Sequence, residues 1–194
     1  MNISAVLLAG GASCRMGRDK ATILFRGKPL WQIQLDLLRK LQPAEIFVSA
    51  RTDPPWRSAD VTFVPDEPPS RGPLSGLAAT LARIRSTHLL VLAIDMPLME
   101  EGHLRYLCDK SEPGRGVLPM AGSRAQSVAA VYPAEACDHF AAALSGADFS
   151  MQVLTNQLVK AGRLRVIQVS EKEQRFYRNL NEPGDLTDLC YAIS

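Results

Sequence analysis

Short, nearly continuous apolar runs alternate along this chain with segments whose apolar residues recur every three or four positions. The first pattern is that of a strand buried on both faces, the second that of an amphipathic helix. The run at residues 3–8, ended by glycines, predicts a buried strand. Pro29 then opens a helical pattern with Leu30, Ile33, Leu37, Leu38 and Leu41 on one face. Residues 45–50 and 61–64 predict two further strands, with a proline turn at Asp53-Pro54-Pro55 between them. Pro73 starts a second helix whose Leu74, Leu77, Ala78, Leu81 and Ile84 share a face. Residues 88–94 form the most apolar run and belong at the centre of a sheet. Beyond it, 117–120, 127–132 and 164–169 predict strands. Residues 134–144 and 151–161 predict helices, and 182–192 a closing helix with Pro183 in its first turn.

Alternation of buried strands with helices predicts an α/β architecture, a mostly parallel sheet covered by helices on both faces. No repeat or linker divides the 194 residues, so one domain spans 1–194. A chain of this size buries roughly 70% of its unfolded surface and needs no disulfide staples. Cys14, Cys108, Cys137 and Cys190 lie far apart in no metal-binding or disulfide spacing, which suits a reducing cytoplasm. The N-terminal apolar run is too short for a signal peptide and no run is long enough for a membrane span. A net charge of +2, without a basic stripe, argues against nucleic acid as a partner.

In sheets of this kind ligands bind beyond the carboxyl ends of the strands. The chain places its most distinctive polar residues at such ends. Leu8-Ala9-Gly10-Gly11 leads through Arg15 to Lys20, joining glycines that admit close backbone approach to two cations suited to polyphosphate oxygens. The stretch is neither a Walker A loop nor a dinucleotide fingerprint. Asp95 follows the most apolar strand and Pro97 stops that strand. A carboxylate there suits Mg²⁺, which commonly takes one or two carboxylates together with substrate phosphates. Asp66 closes the short strand before it, and Ser75 and Gly76 fall in the first turn of the Pro73 helix, where free N–H groups meet anions. His88, His103 and His139 are isolated, Trp31 sits on a helix, and Trp56 follows a proline turn that predicts an exposed ring.

These stretches taken in order, LAGGASCRMGRDK from Leu8, Gly27-Lys28-Pro29-Leu30, Gly72-Pro73-Leu74-Ser75-Gly76, Asp95-Met96-Pro97-Leu98 and Asn179-Leu180-Asn181-Glu182-Pro183-Gly184-Asp185-Leu186, resemble the molybdenum cofactor guanylyltransferases. The resemblance covers nearly the whole chain. It implies a three-layer Rossmann-like nucleotidyltransferase fold, with a nucleotide-binding half at about 1–100 and an acceptor-binding half at about 101–194. It implies transfer of GMP from GTP to molybdopterin with Mg²⁺ on Asp95, and catalysis by Arg15, Lys20 and Asp95. GTP would be held by Leu8, Ala9, Gly10, Gly11, Lys20, Ser49, Asp66 and Asp95, and molybdopterin by Gln126, Asn179 and Asn181. Gly10-Gly11 favours GTP, since related cytidylyltransferases tend to carry Ala-Gly there.

The chain departs from that family's pattern in two places. Ser49 stands where the family often has Asn, and Gln126-Ser127-Val128 where it often has Gln-Pro-Leu. The resemblance leaves room for other molybdenum cofactor assembly proteins as partners. The rival readings are a cytidylyl- or sugar-nucleotide transferase of the same superfamily and an inactive nucleotide-binding regulator.

Overall fold

The computed structural model describes residues 2–10, 19–66 and 69–180. Gly11, Arg15, Asn181 and the expected closing helix lie outside the described residues. The elements run β1 (Ile3–Leu8), β2 (Leu24–Phe25), β3 (Lys28–Pro29), α1 (Leu30–Lys40), β4 (Ile46–Ala50), β5 (Thr62–Pro65), α2 (Pro73–Leu81) and β6 (His88–Ala93). They continue as α3 (Glu101–Asp109), β7 (Gly116–Ala121), β8 (Arg124–Ala125), β9 (Val131–Pro133), α4 (Cys137–Ser145), α5 (Met151–Lys160) and β10 (Leu164–Gln168).

Seven strands form one sheet in the order β10-β7-β9-β6-β1-β4-β5, with β8 folded back on β7. The pairs β6–β1, β1–β4, β4–β5 and β7–β10 are parallel, β9 runs antiparallel between β6 and β7, and β8 runs antiparallel to β7. The fold is therefore α/β with a mostly parallel sheet. β6 lies between β9 and β1 with all six of its residues buried, as its unbroken apolar run requires.

Each central strand serves two cores, because alternate side chains leave a strand on opposite faces. Ala5 and Leu7 of β1, with Leu90 and Leu92 of β6, pack in the core that holds Leu30, Leu35 and Leu38 of α1 and Leu104 and Leu107 of α3. Val6 and Leu8, with Leu89 and Val91, pack in the core that holds Leu74, Leu77 and Leu81 of α2, Phe140 of α4 and Leu154 and Leu158 of α5. Among the described residues no helix is long and apolar enough to cross a membrane.

Several local expectations need correction. Pro29 does not begin α1; it ends a hairpin, β2–β3, whose turn places Arg26 at φ 52° and Gly27 at φ 77°. Two consecutive positive φ values make the tight primed turn that suits strand twist, with glycine in the second place. Residues 127–129 turn instead of extending a strand. The Ala129 amide donates to Gln126 O at 3.0 Å and the Tyr132 hydroxyl to Ser127 O at 2.7 Å, which shortens β9 to Val131–Pro133. Trp56 is half-buried and stacks on Trp31, with centroids 5.6 Å apart. Helix α3, with its N-cap at Glu100, has only a short apolar stripe, Leu104 and Leu107, and carries the buried His103.

β9 crosses β7 very closely. A Cβ added at Gly116 would meet the main-chain oxygen of Val131 at 2.0 Å, a clash that no side-chain rotation relieves. Gly116→Ala should therefore destabilise the protein by at least the ~1–3 kcal/mol typical of overpacking. Urea unfolding checks this, and an unchanged midpoint would show that β9 can yield.

Candidate functional site at the carboxyl edge of the sheet

Parallel pairing in register brings three strand ends side by side. Leu8 is flanked by Ser49 of β4 and Ala93 of β6. Main-chain bonds extend the alignment past the strands: the Ala9 amide donates to Ser49 O at 2.8 Å, Ile94 N to Leu8 O at 3.1 Å and Asp66 N to Ala50 O at 2.8 Å. Gly10, Asp66 and Asp95 are thereby delivered to one edge, as their positions after three apolar runs implied.

Leu8, Ala9, Gly10, Lys20 and Asp95 line a cavity of about 250 Å³. Lys20 Nζ donates to Asp95 Oδ2 at 3.0 Å, with both side chains largely but not fully buried. Asp19 accepts from Ala21 N through its carboxylate and so starts the 3-10 turn that carries Lys20. The geometry fits a hard divalent cation at Asp95. Asp95 offers a single carboxylate at this edge, paired here with Lys20, and Mg²⁺ commonly takes one or two carboxylates together with substrate phosphates. Among the described residues no three His, Cys, Asp or Glu side chains gather into a metal cage.

Asp66 is buried and accepts from the Ser70 hydroxyl at 2.6 Å through Oδ2, while Oδ1 is buried and has no hydrogen-bond partner among the described residues. A Cβ on Gly10 would stand 3.6 Å from Oδ2, an ordinary contact distance, and Asp66 does not line the cavity. Ser49 reaches the same edge but lies beneath α2. A Cβ on Gly76 would stand 2.3 Å from the Ser49 hydroxyl, so Gly76 is what lets the first turn of α2 settle on β4. Ser49 does not line the cavity.

A second cavity of about 490 Å³ adjoins the first and shares Pro73, Val128 and Asn179 with it. Gln126 lines the larger cavity only, together with Arg124, Tyr177 and Arg178. The turn at 127–129 holds Gln126 there. Asn179 stands at the junction because its neighbour Leu180 donates through its amide to Asp95 O at 2.8 Å. The main chain after β10 is thus tied to the end of β6.

His103, like His88, lacks metal-ligand spacing but has polar partners. His103 is not isolated: its Nε2 lies 2.6 Å from the Tyr177 hydroxyl and its Nδ1 3.4 Å from Glu173. A neutral ring satisfies both partners with its proton on Nδ1 and Nε2 accepting from Tyr177. No local spacing signals the contact, since its partners lie about seventy positions away. Burial pushes the Cys108 thiol up to about 12, which makes it a packing group and not a nucleophile.

The fold and this edge define a nucleotidyltransferase. The MobA-like NTP transferase domain matches residues 5–161, and the chain belongs to that family. A probable molybdenum cofactor guanylyltransferase of Opitutus terrae is 34% identical over 189 residues, covering 94% of this chain and 92% of the relative. The crystal structure of molybdopterin-guanine dinucleotide biosynthesis protein A from Archaeoglobus fulgidus superposes with a TM-score of 0.76 at 20% identity, covering 98% of each chain. That of 4-diphosphocytidyl-2C-methyl-D-erythritolsynthase from Anaerococcus prevotii gives 0.74 at 13% identity, covering 100% of this chain and 96% of the other. Two enzymes named for different nucleotides thus share this fold almost equally, so architecture alone does not choose the base.

Burial of His103 lowers its proton affinity below the ordinary histidine value, and Glu173 opposes that only in part. The unfolded chain therefore takes up a proton that the folded chain resists, and stability should fall as pH drops below about 6.5. His103→Gln should reduce this acid-side loss relative to the parent protein. Melting temperatures of both proteins across pH 5–8 check it, and parallel curves would remove His103 as a cause.

Proposed function

We propose that this protein transfers GMP from GTP to molybdopterin, giving the guanine dinucleotide form of the cofactor and pyrophosphate. The observation that carries the reading is the pair of adjoining cavities. One holds the backbone of Leu8–Gly10 with Lys20 and Asp95, the other holds Gln126, and Asn179 lines both. Two substrates seated in them would meet at the shared wall. The identity to molybdenum cofactor guanylyltransferases along the chain supports the choice of substrates.

In this reading the terminal phosphate of the acceptor attacks the α-phosphorus of GTP. A new P–O bond forms as the bond to the β-phosphate breaks, and pyrophosphate leaves. The attacking oxygen is already anionic at neutral pH, so no general base is required. The protein's task is to align two anions and offset the charge that moves to the leaving group. In this reading the main chain at Leu8, Ala9 and Gly10 approaches the nucleotide, and Asp66 offers a donor on it an oxygen that has no partner among the described residues. Lys20 and Arg15 supply positive charge to the phosphates. Asp95 would hold Mg²⁺, which when bound neutralises phosphate oxygens and fixes their geometry. Asn179, Asn181 and Gln126 hold the acceptor.

GTP with Mg²⁺ should raise the melting temperature clearly more than CTP, ATP or UTP, because a site built for one base edge leaves buried groups unpaired with another. Preferential protection by CTP would instead favour the cytidylyl reading. Asp95→Asn should keep its fold, since the bond that Asp95 makes to Leu180 comes from its main chain, but with a lower melting temperature because Lys20 loses its carboxylate partner. Its turnover with GTP and molybdopterin should fall roughly 10²–10³-fold, the scale of one lost electrostatic contact in the transition state. Near-normal turnover at saturating Mg²⁺ would take the metal away from Asp95.

A further inference from the structure

Asn179 is suspended between two anchors. On one side Leu180 is fully buried and donates through its amide to Asp95 O at 2.8 Å, which ties it to the end of β6. On the other, Phe176 and Tyr177 are both buried and close on the ring of His103 from α3. The Phe176 ring lies tilted against it with centroids 4.9 Å apart, and the Tyr177 ring stands edge-on at 5.4 Å. The Tyr177 hydroxyl and His103 Nε2 are 2.6 Å apart, and the bond is buried. Burial, with Glu173 adding to it, raises the Tyr177 hydroxyl above the ordinary tyrosine value, so the hydroxyl keeps its proton and donates to the neutral ring.

The stretch between the anchors has little helical bonding of its own. A 3-10 turn ends at Tyr177 and Arg178 is extended, so the turn does not carry on to Asn179. The Asn179 Oδ1 is buried and has no hydrogen-bond partner among the described residues. An amide oxygen kept from water in this way costs free energy until a donor meets it. Asn179 lines both cavities, Tyr177 the larger one only, and His103 neither.

We infer that His103 is a positioning residue for the acceptor: through the Tyr177 hydroxyl it fixes the main chain that presents Asn179 before any substrate arrives. This rests on the acceptor reading given above. A group set in place in advance spares the ligand the cost of ordering it. Losing the anchor therefore weakens acceptor binding and leaves the transfer step itself largely intact. The nucleotide side is held by other means. Ala9 is bonded to Ser49 O, and Lys20 rides on the turn that Asp19 starts.

Tyr177→Phe keeps the ring and removes only the hydroxyl, while His103→Leu removes the atom that accepts from it. Each should raise the KM for molybdopterin roughly three- to tenfold, the worth of one neutral hydrogen bond, with kcat and the Kd for GTP changed less than about twofold. The double variant should be no worse than His103→Leu alone, because both changes remove the same bond. His103→Gln, which keeps an acceptor for the hydroxyl, should stay close to the parent protein. An unchanged KM, additive effects in the double variant, or an equal rise in the Kd for GTP would overturn the proposal. Hydrogen exchange on the substrate-free protein gives a second measurement. The amides of residues 178–180 should exchange faster in Tyr177→Phe than in the parent protein, and equal rates would also overturn it. Absence of transfer by the parent protein would count against the acceptor reading, and the exchange comparison would then decide the anchoring alone.

Discussion

Everything at the candidate site depends on the in-register parallel pairing of β1 with β4 and β6. Leu8, Ser49 and Ala93 end level with one another, and the next residues continue the alignment through main-chain hydrogen bonds. A slip of one residue would turn every side chain of a strand to the opposite face and exchange the two cores. Because β1 and β6 are buried on both faces, that exchange is costly at every position, and the edge is held firmly. The acidic and basic groups gathered there stay in place through apolar packing behind them rather than through their own attractions.

Against that rigid edge the polar contacts are few and specific. Lys20 and Asp95 are drawn together from opposite ends of the first hundred residues, and their ion pair keeps two partly buried charges from standing unmatched. The amide of Leu180 on the main-chain oxygen of Asp95 joins the last described segment to the centre of the sheet. Asn179 is thereby set between two cavities, while His103, through Tyr177, steadies the same segment from α3. The larger cavity is assembled from a turn at 127–129, a short hairpin and this tethered segment, where the smaller one is assembled mainly from strand ends.

Much of this was legible in the residues. Nearly continuous apolar runs at 3–8 and 88–94 announced the central strands, since only a strand buried on both faces needs no polar alternation. The placing of Gly10, Asp66 and Asp95 directly after such runs implied that they would share an edge, because parallel strands with helical crossovers end on the same side. Other features were hidden because their causes are not local. The turn at 127–129 sits in an apolar run that also fits a strand, and it is decided by the Tyr132 hydroxyl reaching back to Ser127. Ser49 stands at the end of a strand like the others, yet α2 descends on it through Gly76, and that approach is a property of packing.

The sequence by itself determined the layer order of the fold, the cations and carboxylates available, and the edge on which strand ends would present them, because hydrophobic periodicity and chain direction leave little choice. Tertiary structure alone decided which of these groups meet. Lys20 against Asp95, Asn179 between two cavities and His103 on Tyr177 all join residues remote in sequence or brought together by a tethered segment. Such pairings follow from the register and closure of the whole sheet, which no short window of residues contains.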